Sequence, residues 1–174
     1  MSRTGTLVLV VGALAAWAGC RGKETDEARI RRIFSEASAA AEEKRIGDVV
    51  KDVSDRFRAG DLDRDGVRQI VAGVVIRGGW KSAWVTGSTV RVEGDRAAAV
   101  VDVAMARGAG KPSVAALLPA EASVYRVDAR LEREPEGWRV VAAGWKPIEI
   151  GEAVAGPPEP ADPASRPGPA SAIP

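Results

Sequence analysis

Between Asp26 and Ile150 the chain carries two hydrophobic rhythms, a helical one first and a period of two after Trp80. Ile30, Ile33, Phe34, Ala37 and Ala41 recur at i, i+3, i+4, i+7 and i+11, one stripe of an amphipathic helix. Thr25 stands where an N-cap belongs, and Asp26 and Glu27 fall in the first turn, where acids favour the helix dipole. Gly47 is the expected stop. Asp48 is placed to cap a second, shorter helix with Val49, Val50, Val53 and Phe57 on its apolar side. A third stripe, Val67, Ile70, Val71, Val74 and Val75, ends at Gly78 and Gly79.

After Trp80 the alternation predicts two hairpins. "TVRVEGDRAAAVVDVAMARG" turns at Gly94 and Asp95, with Val90 and Val92 on one side and Thr89, Arg91 and Glu93 on the other. "SVYRVDARLEREPEGWRVVAAGW" turns at Pro135, Glu136 and Gly137. Tyr125, Val127, Ala129 and Leu131 share one face of its first strand, and Arg126, Asp128, Arg130 and Glu132 the other. Between the hairpins, "GAGKPSVAALLPA" predicts a loop or a single helical turn.

The two ends read differently. "MSRTGTLVLVVGALAAWAGC" has a basic start at Arg3, an apolar run from Leu7 to Trp17 and small residues before Cys20, the layout of a secretory signal. Its end resembles a bacterial lipobox, differing at the first position, where Trp17 replaces the usual leucine. The resemblance implies cleavage after Gly19 and lipidation of Cys20, several acyl chains then holding the protein at a membrane at ~0.8 kcal/mol per buried methylene. Two rival readings exist. The uncharged run Thr4–Cys20 sits at the short limit of the roughly 17–25 residues that cross a bilayer, and a lone cysteine is commonly a buried apolar group. Arg21 stands where inner-membrane lipoproteins of enteric type carry aspartate, so the outer membrane is favoured. After Ile150 proline dominates, and a disordered tail is expected over 151–174. The organisation is thus a signal (1–19), a lipidated tether (20–25), one domain (26–150) and the tail.

Composition narrows the chemistry. Of 174 residues, 45% are hydrophobic, enough for one core without disulfides, and Cys20 is the sole cysteine. The chain has 25 basic and 24 acidic residues, and Arg3 is the only charge before Cys20, so the mature chain balances with the signs interspersed. No nucleic-acid partner is implied. Histidine and asparagine are absent, which excludes histidine acid/base catalysis, histidine metal sites and Asn-X-Ser/Thr glycosylation. No cofactor is expected. "GDLDRDGVRQIVAG" opens like a calcium loop, with Asp61, Asp63 and Asp65 alternating ahead of Gly66. Its twelfth position is Ala72, however, where such loops need a bidentate glutamate. Asp63 therefore reads as the N-cap of the third helix, and no metal is expected.

Helices followed by an antiparallel run indicate an α+β fold, helices packed on a sheet. The order, with "DEARIRRIFSEASAAAEEK", "IGDVVKDVSDRF", "VRVEGDRAAAVVDV" and the closing "GWRVVAAGW", resembles the nuclear transport factor 2-like superfamily over residues 26–148, including its SnoaL-like and ketosteroid-isomerase-like members. The resemblance implies a curved antiparallel sheet wrapped around helices into a cone with an interior pocket, in many members dimeric through the sheet. It also implies isomerases with an aspartate base and a tyrosine in the cone. Here Tyr125 is the sole tyrosine, and Asp128 points to the opposite face of the same strand.

Asp102, between Val101 and Val103, is the one weak candidate for a catalytic carboxylate. Its plainer reading is a cross-strand pair with Arg126 or Arg130 on the open side of the sheet. Trp80, Trp84, Tyr125 and Trp145 are candidates to line a ligand pocket, or else serve as packing. The leading expectation is a membrane-tethered, non-enzymatic envelope lipoprotein that binds a small molecule or an envelope protein through its cone or sheet face. The alternatives are a lyase or isomerase using a buried carboxylate, and a structural envelope homodimer.

Overall fold

A computed structural model describes residues 24–77, 79–107 and 122–165. The leader, Cys20 and the apolar turn between the hairpins lie outside the described residues.

Helix α1 runs Asp26–Glu42 behind the expected cap, Thr25 Oγ1 accepting from the Ala28 N–H at 3.2 Å. It stops before Gly47. The Arg45 N–H donates to the Ala40 carbonyl and the Lys44 N–H to Ala41, with Lys44 left-handed at φ 57°. That is a Schellman ending with lysine at the position glycine usually fills, so no glycine signalled it.

Helix α2, Ile46–Val49, is a single turn. The chain then runs through successive turns, where the apolar spacing predicts a helix through Phe57. The Val140 N–H donates to Asp52 O at 2.8 Å, Ser54 N–H to Val140 O at 2.9 Å, and Arg58 N–H to Val141 O at 3.0 Å. Val53 and Phe57 are still drawn inward, but from a run of turns that meets the last strand at the Val53↔Val140 bridge. Helix α3, Arg64–Ala72, begins as expected at Asp63, whose Oδ1 accepts from the Gly66 N–H at 2.8 Å. It continues through a π-helical turn, Gly73–Arg77.

The four strands among the described residues are β1 Ser82–Glu93, β2 Arg96–Ala106, β3 Ala122–Glu134 and β4 Gly137–Ile148. They form an antiparallel meander in the order β1-β2-β3-β4. Both expected turns are present: Glu93 faces Arg96 across Gly94 and Asp95, and Glu134 faces Gly137 across Pro135 and Glu136. Gly94 at φ 60° and Gly137 at φ 119° take backbone angles that side chains resist. Strands of 11 to 13 residues are about twice the usual length. The register slips at Thr86 in β1 and Val141 in β4, and such bulges bend and twist the sheet.

The inner face packs on the helices. Ala97, Ala99 and Val101 of β2 meet Ala129 and Leu131 of β3, Trp138 and Val140 of β4, and Ile30 and Ile33 of α1. The end of the cone beside the hairpin turns is closed by Asp26, which accepts from Trp138 Nε1 at 2.9 Å and Arg133 Nη2 at 2.6 Å. The Arg133 guanidinium lies 4.5 Å from the centre of the Trp138 ring. The Trp138 and Arg133 hydrogen bonds hold the Asp26 carboxyl below its ordinary pKa.

The outer face is not open. Helix α4, Ile150–Ala155, and residues 156–165, which end in a turn at Asp162–Ser165, lie across it, with Ala153, Pro160 and Pro163 buried. This corrects the disordered tail expected from 151, as far as Ser165; residues 166–174 lie outside the described residues. Prolines leave carbonyls as a segment's main backbone hydrogen-bonding groups, and the outer face supplies donors for them. Thr89 Oγ1 donates to Pro158 O at 2.6 Å, Arg126 Nη2 to Gly156 O at 3.3 Å, and Arg130 Nε to Ser165 O at 2.8 Å.

Candidate functional site

Beyond Ile30 and Ile33, the inner side of α1 continues as Phe34, Ala37, Ser38 and Ala41. Ala37, Ser38 and Ala41 are too small to fill the space under the wide part of the sheet. Two adjoining cavity lobes remain, each of about 230 Å³, sharing Phe34, Ala37, Val49, Val71, Val127 and Trp145. The first lobe adds Ser38, Met105 and Tyr125; the second adds Asp52, Phe57 and Val140. Their walls are aliphatic and aromatic almost throughout, the composition of a small-molecule site.

A few polar groups interrupt the apolar wall. Ser38, 9% exposed, has an Oγ with no hydrogen-bond partner among the described residues, whereas Ser35 Oγ on the same helix donates to Arg32 O at 3.0 Å. Trp145 Nε1 is likewise buried and unpaired. Asp52, 6% exposed, accepts from Arg139 Nη1 through Oδ1, and its Oδ2 has no partner among the described residues. Tyr125 is 5% exposed, and burial raises its phenol pKa above the ordinary value, so the ring enters the cavity neutral.

The structure separates the residues singled out from the sequence. Tyr125 and Trp145 line the cavity. Trp80 lies beside it, in a recess of about 20 Å³ with Lys81 and Met105, its ring 4.7 Å from the Arg107 guanidinium. Trp84 is on the other side of the sheet, packed with Ala104, Val124 and Ala153 under α4. Asp102 also faces outward, which overturns it as a base in the cone. It is fully buried, and its two oxygens accept from Arg126 Nε at 2.7 Å and Nη2 at 2.8 Å. This is the cross-strand pair of the plainer reading, set by the Asp102↔Arg126 register. The hydrogen bond that Arg126 donates to Asp102 raises the Arg126 pKa, while burial lowers that of Arg130.

Sequence reasoning missed Ser38 and Asp52. Ser38 was legible in principle, standing four residues after Phe34 on the apolar stripe. Asp52 is hidden in the sequence because the apolar spacing of Val49, Val50, Val53 and Phe57 predicts a helix there. No cluster of three or more acidic, histidine or cysteine side chains converges among the described residues.

No protein-family model matches the sequence. No curated protein matches it. Solved structures do. A protein of unknown function from Pseudomonas putida KT2440, itself NTF2-like, superposes with a TM-score of 0.55 at 14% identity, covering 73% of this chain and 90% of that one. An NTF2-like protein with a cystatin-like fold from Novosphingobium aromaticivorans gives 0.52 at 16% identity over 71% of this chain and 82% of its own. The fold is nuclear transport factor 2-like. A candidate dehydratase of the NTF2-like family from Streptomyces avermitilis gives 0.51 at 14% identity, over 71% and 96% of the two chains. At these identities the likeness concerns the NTF2-like fold, and the site must be read from this chain's own residues.

Proposed function

We propose that this protein is a membrane-tethered binding module whose NTF2-like cone holds a small, mostly apolar molecule, with the lipid carried on Cys20. The observation behind the binding role is the two-lobed cavity itself, an apolar hollow in a domain whose interior would otherwise close-pack. The tether rests on the leader and on the cysteine that ends it. A structural homodimer built through the sheet has less support, because α4 and residues 156–165 occupy the outer face.

A lyase or isomerase reading is favoured by one observation, that Asp52 lines the second lobe and its Oδ2 has no partner among the described residues. It would use Asp52 in place of Asp102.

The test is cavity filling. Ala37 borders both lobes, so Ala37→Phe should weaken binding of the neutral fluorophore N-phenyl-1-naphthylamine by about tenfold or more, equivalent to ~1.4 kcal/mol. Thermal unfolding checks that the variant folds. Undiminished binding by a folded Ala37→Phe protein would place the probe elsewhere and contradict the reading. In a bacterial expression host, Cys20→Ala should remove metabolic acyl labelling.

A further inference from the structure

Three polar atoms of the cavity residues are buried without a partner among the described residues: Ser38 Oγ, Trp145 Nε1 and Asp52 Oδ2. Native interiors leave few such groups unpaired, and each one asks what satisfies it. Here all three belong to residues lining one cavity, which already reads as a ligand site. We propose that these atoms are ligand contacts and that the ligand is an apolar molecule carrying one carbonyl oxygen and one hydroxyl group. The inference rests on the cavity being a binding site and adds what it recognises.

The donor and acceptor inventory gives the chemistry. An indole N–H can only donate, so Trp145 Nε1 requires an acceptor. Ser38 lines the first lobe with Trp145, and its hydroxyl can donate to the second lone pair of the same carbonyl oxygen. An ionised carboxylate can only accept, so Asp52 Oδ2 requires a donor. Arg139 already holds Oδ1 and balances the charge, which suits a neutral hydroxyl better than an ammonium group. Ser38 belongs to the first lobe, Asp52 to the second and Trp145 to both. The carbonyl therefore lies at the Ser38–Trp145 wall, and the hydroxyl reaches into the lobe of Asp52. The apolar frame between them meets Phe34, Val71 and Val127.

Four probes with one frame test this: diphenylmethane, benzophenone, para-benzylphenol and para-hydroxybenzophenone, titrated calorimetrically into the full-length protein. The expected result is that all four bind, para-hydroxybenzophenone about tenfold or more tighter than diphenylmethane and the single-group probes between them. Ser38→Ala and Trp145→Phe should each reduce the advantage of benzophenone over diphenylmethane, read as the ratio of the two affinities within each folded variant. Equal affinities for all four probes would overturn this inference and leave the binding module standing, since water would then satisfy the three atoms equally well. A carbonyl advantage that survives in both folded variants would also overturn it. Failure of every probe to bind would overturn the inference together with the function it rests on.

Discussion

Asp102 shows how much one side chain's direction decides. Its apolar neighbours in sequence made it a candidate base, yet a carboxylate with no exposed surface is tolerated only when paired. The bidentate Arg126 guanidinium supplies that pair, and Arg126 also donates to the Glu152 and Gly156 carbonyls. Removing one partner strands the other, so Asp102→Ala should cost about 3–5 kcal/mol. Replacing both, as Asp102→Leu with Arg126→Met, should recover most of that loss, because no buried charge is left unpaired. Urea unfolding measures both, and a single-variant loss below about 1 kcal/mol would contradict the account of the pair. The sequence already named Arg126 as one of two partners. The outward pair was thus legible as the plainer reading, whereas its complete burial was not, because the cover comes from α4 and residues 156–165, which no strand alternation reveals.

At the scale of elements, alternation and turn residues carried the two hairpins, and cap residues carried the starts of α1 and α3. The misreadings have physical causes. Lys44 ends α1 in a conformation that usually advertises itself by glycine. Residues 50–57 carry an apolar spacing compatible with a helix, but the unpaired edge of β4 offers Asp52, Ser54 and Arg58 backbone hydrogen bonds instead. The proline-rich tail lacks apolar bulk, and its order over 156–165 comes from donors on Thr89, Arg126 and Arg130, which no local pattern reveals.

The tail's closeness to the sheet makes a testable point at Gly87. A Cβ there would stand 2.7 Å from Pro157 Cδ. Gly87→Val should therefore destabilise the protein by about 1–3 kcal/mol, as overpacking does. The same substitution in a chain ending at Gly156 should cost markedly less, since Pro157 is gone. A double-mutant cycle by equilibrium unfolding reads the difference. An equal cost in both backgrounds would show that Pro157 is not what Gly87 accommodates.

Seen whole, the domain has a filled end and a hollow end. Asp26, Trp138 and Arg133 close the end where α1 begins. The cavity opens along the later turns of α1, at Ser38 and Ala41. If Cys20 carries the lipid, as proposed, residues 21–25 reach at most about 18 Å. The anchor then holds the filled end toward the bilayer and leaves the cavity farther from it. A ligand would then enter from the aqueous side.

The central claim is that the hollow inside the sheet, and not the sheet's outer face, takes the ligand. Methyl NMR on valine-labelled protein during titration with benzophenone tests it most directly. Val71, Val103 and Val127 line the cavity, while Val100 and Val124 lie on the outer face beneath the C-terminal segment. The account predicts saturable shifts at Val71, Val103 and Val127 with Val100 and Val124 unmoved; shifts confined to Val100 and Val124, or none at any of the five, would contradict it.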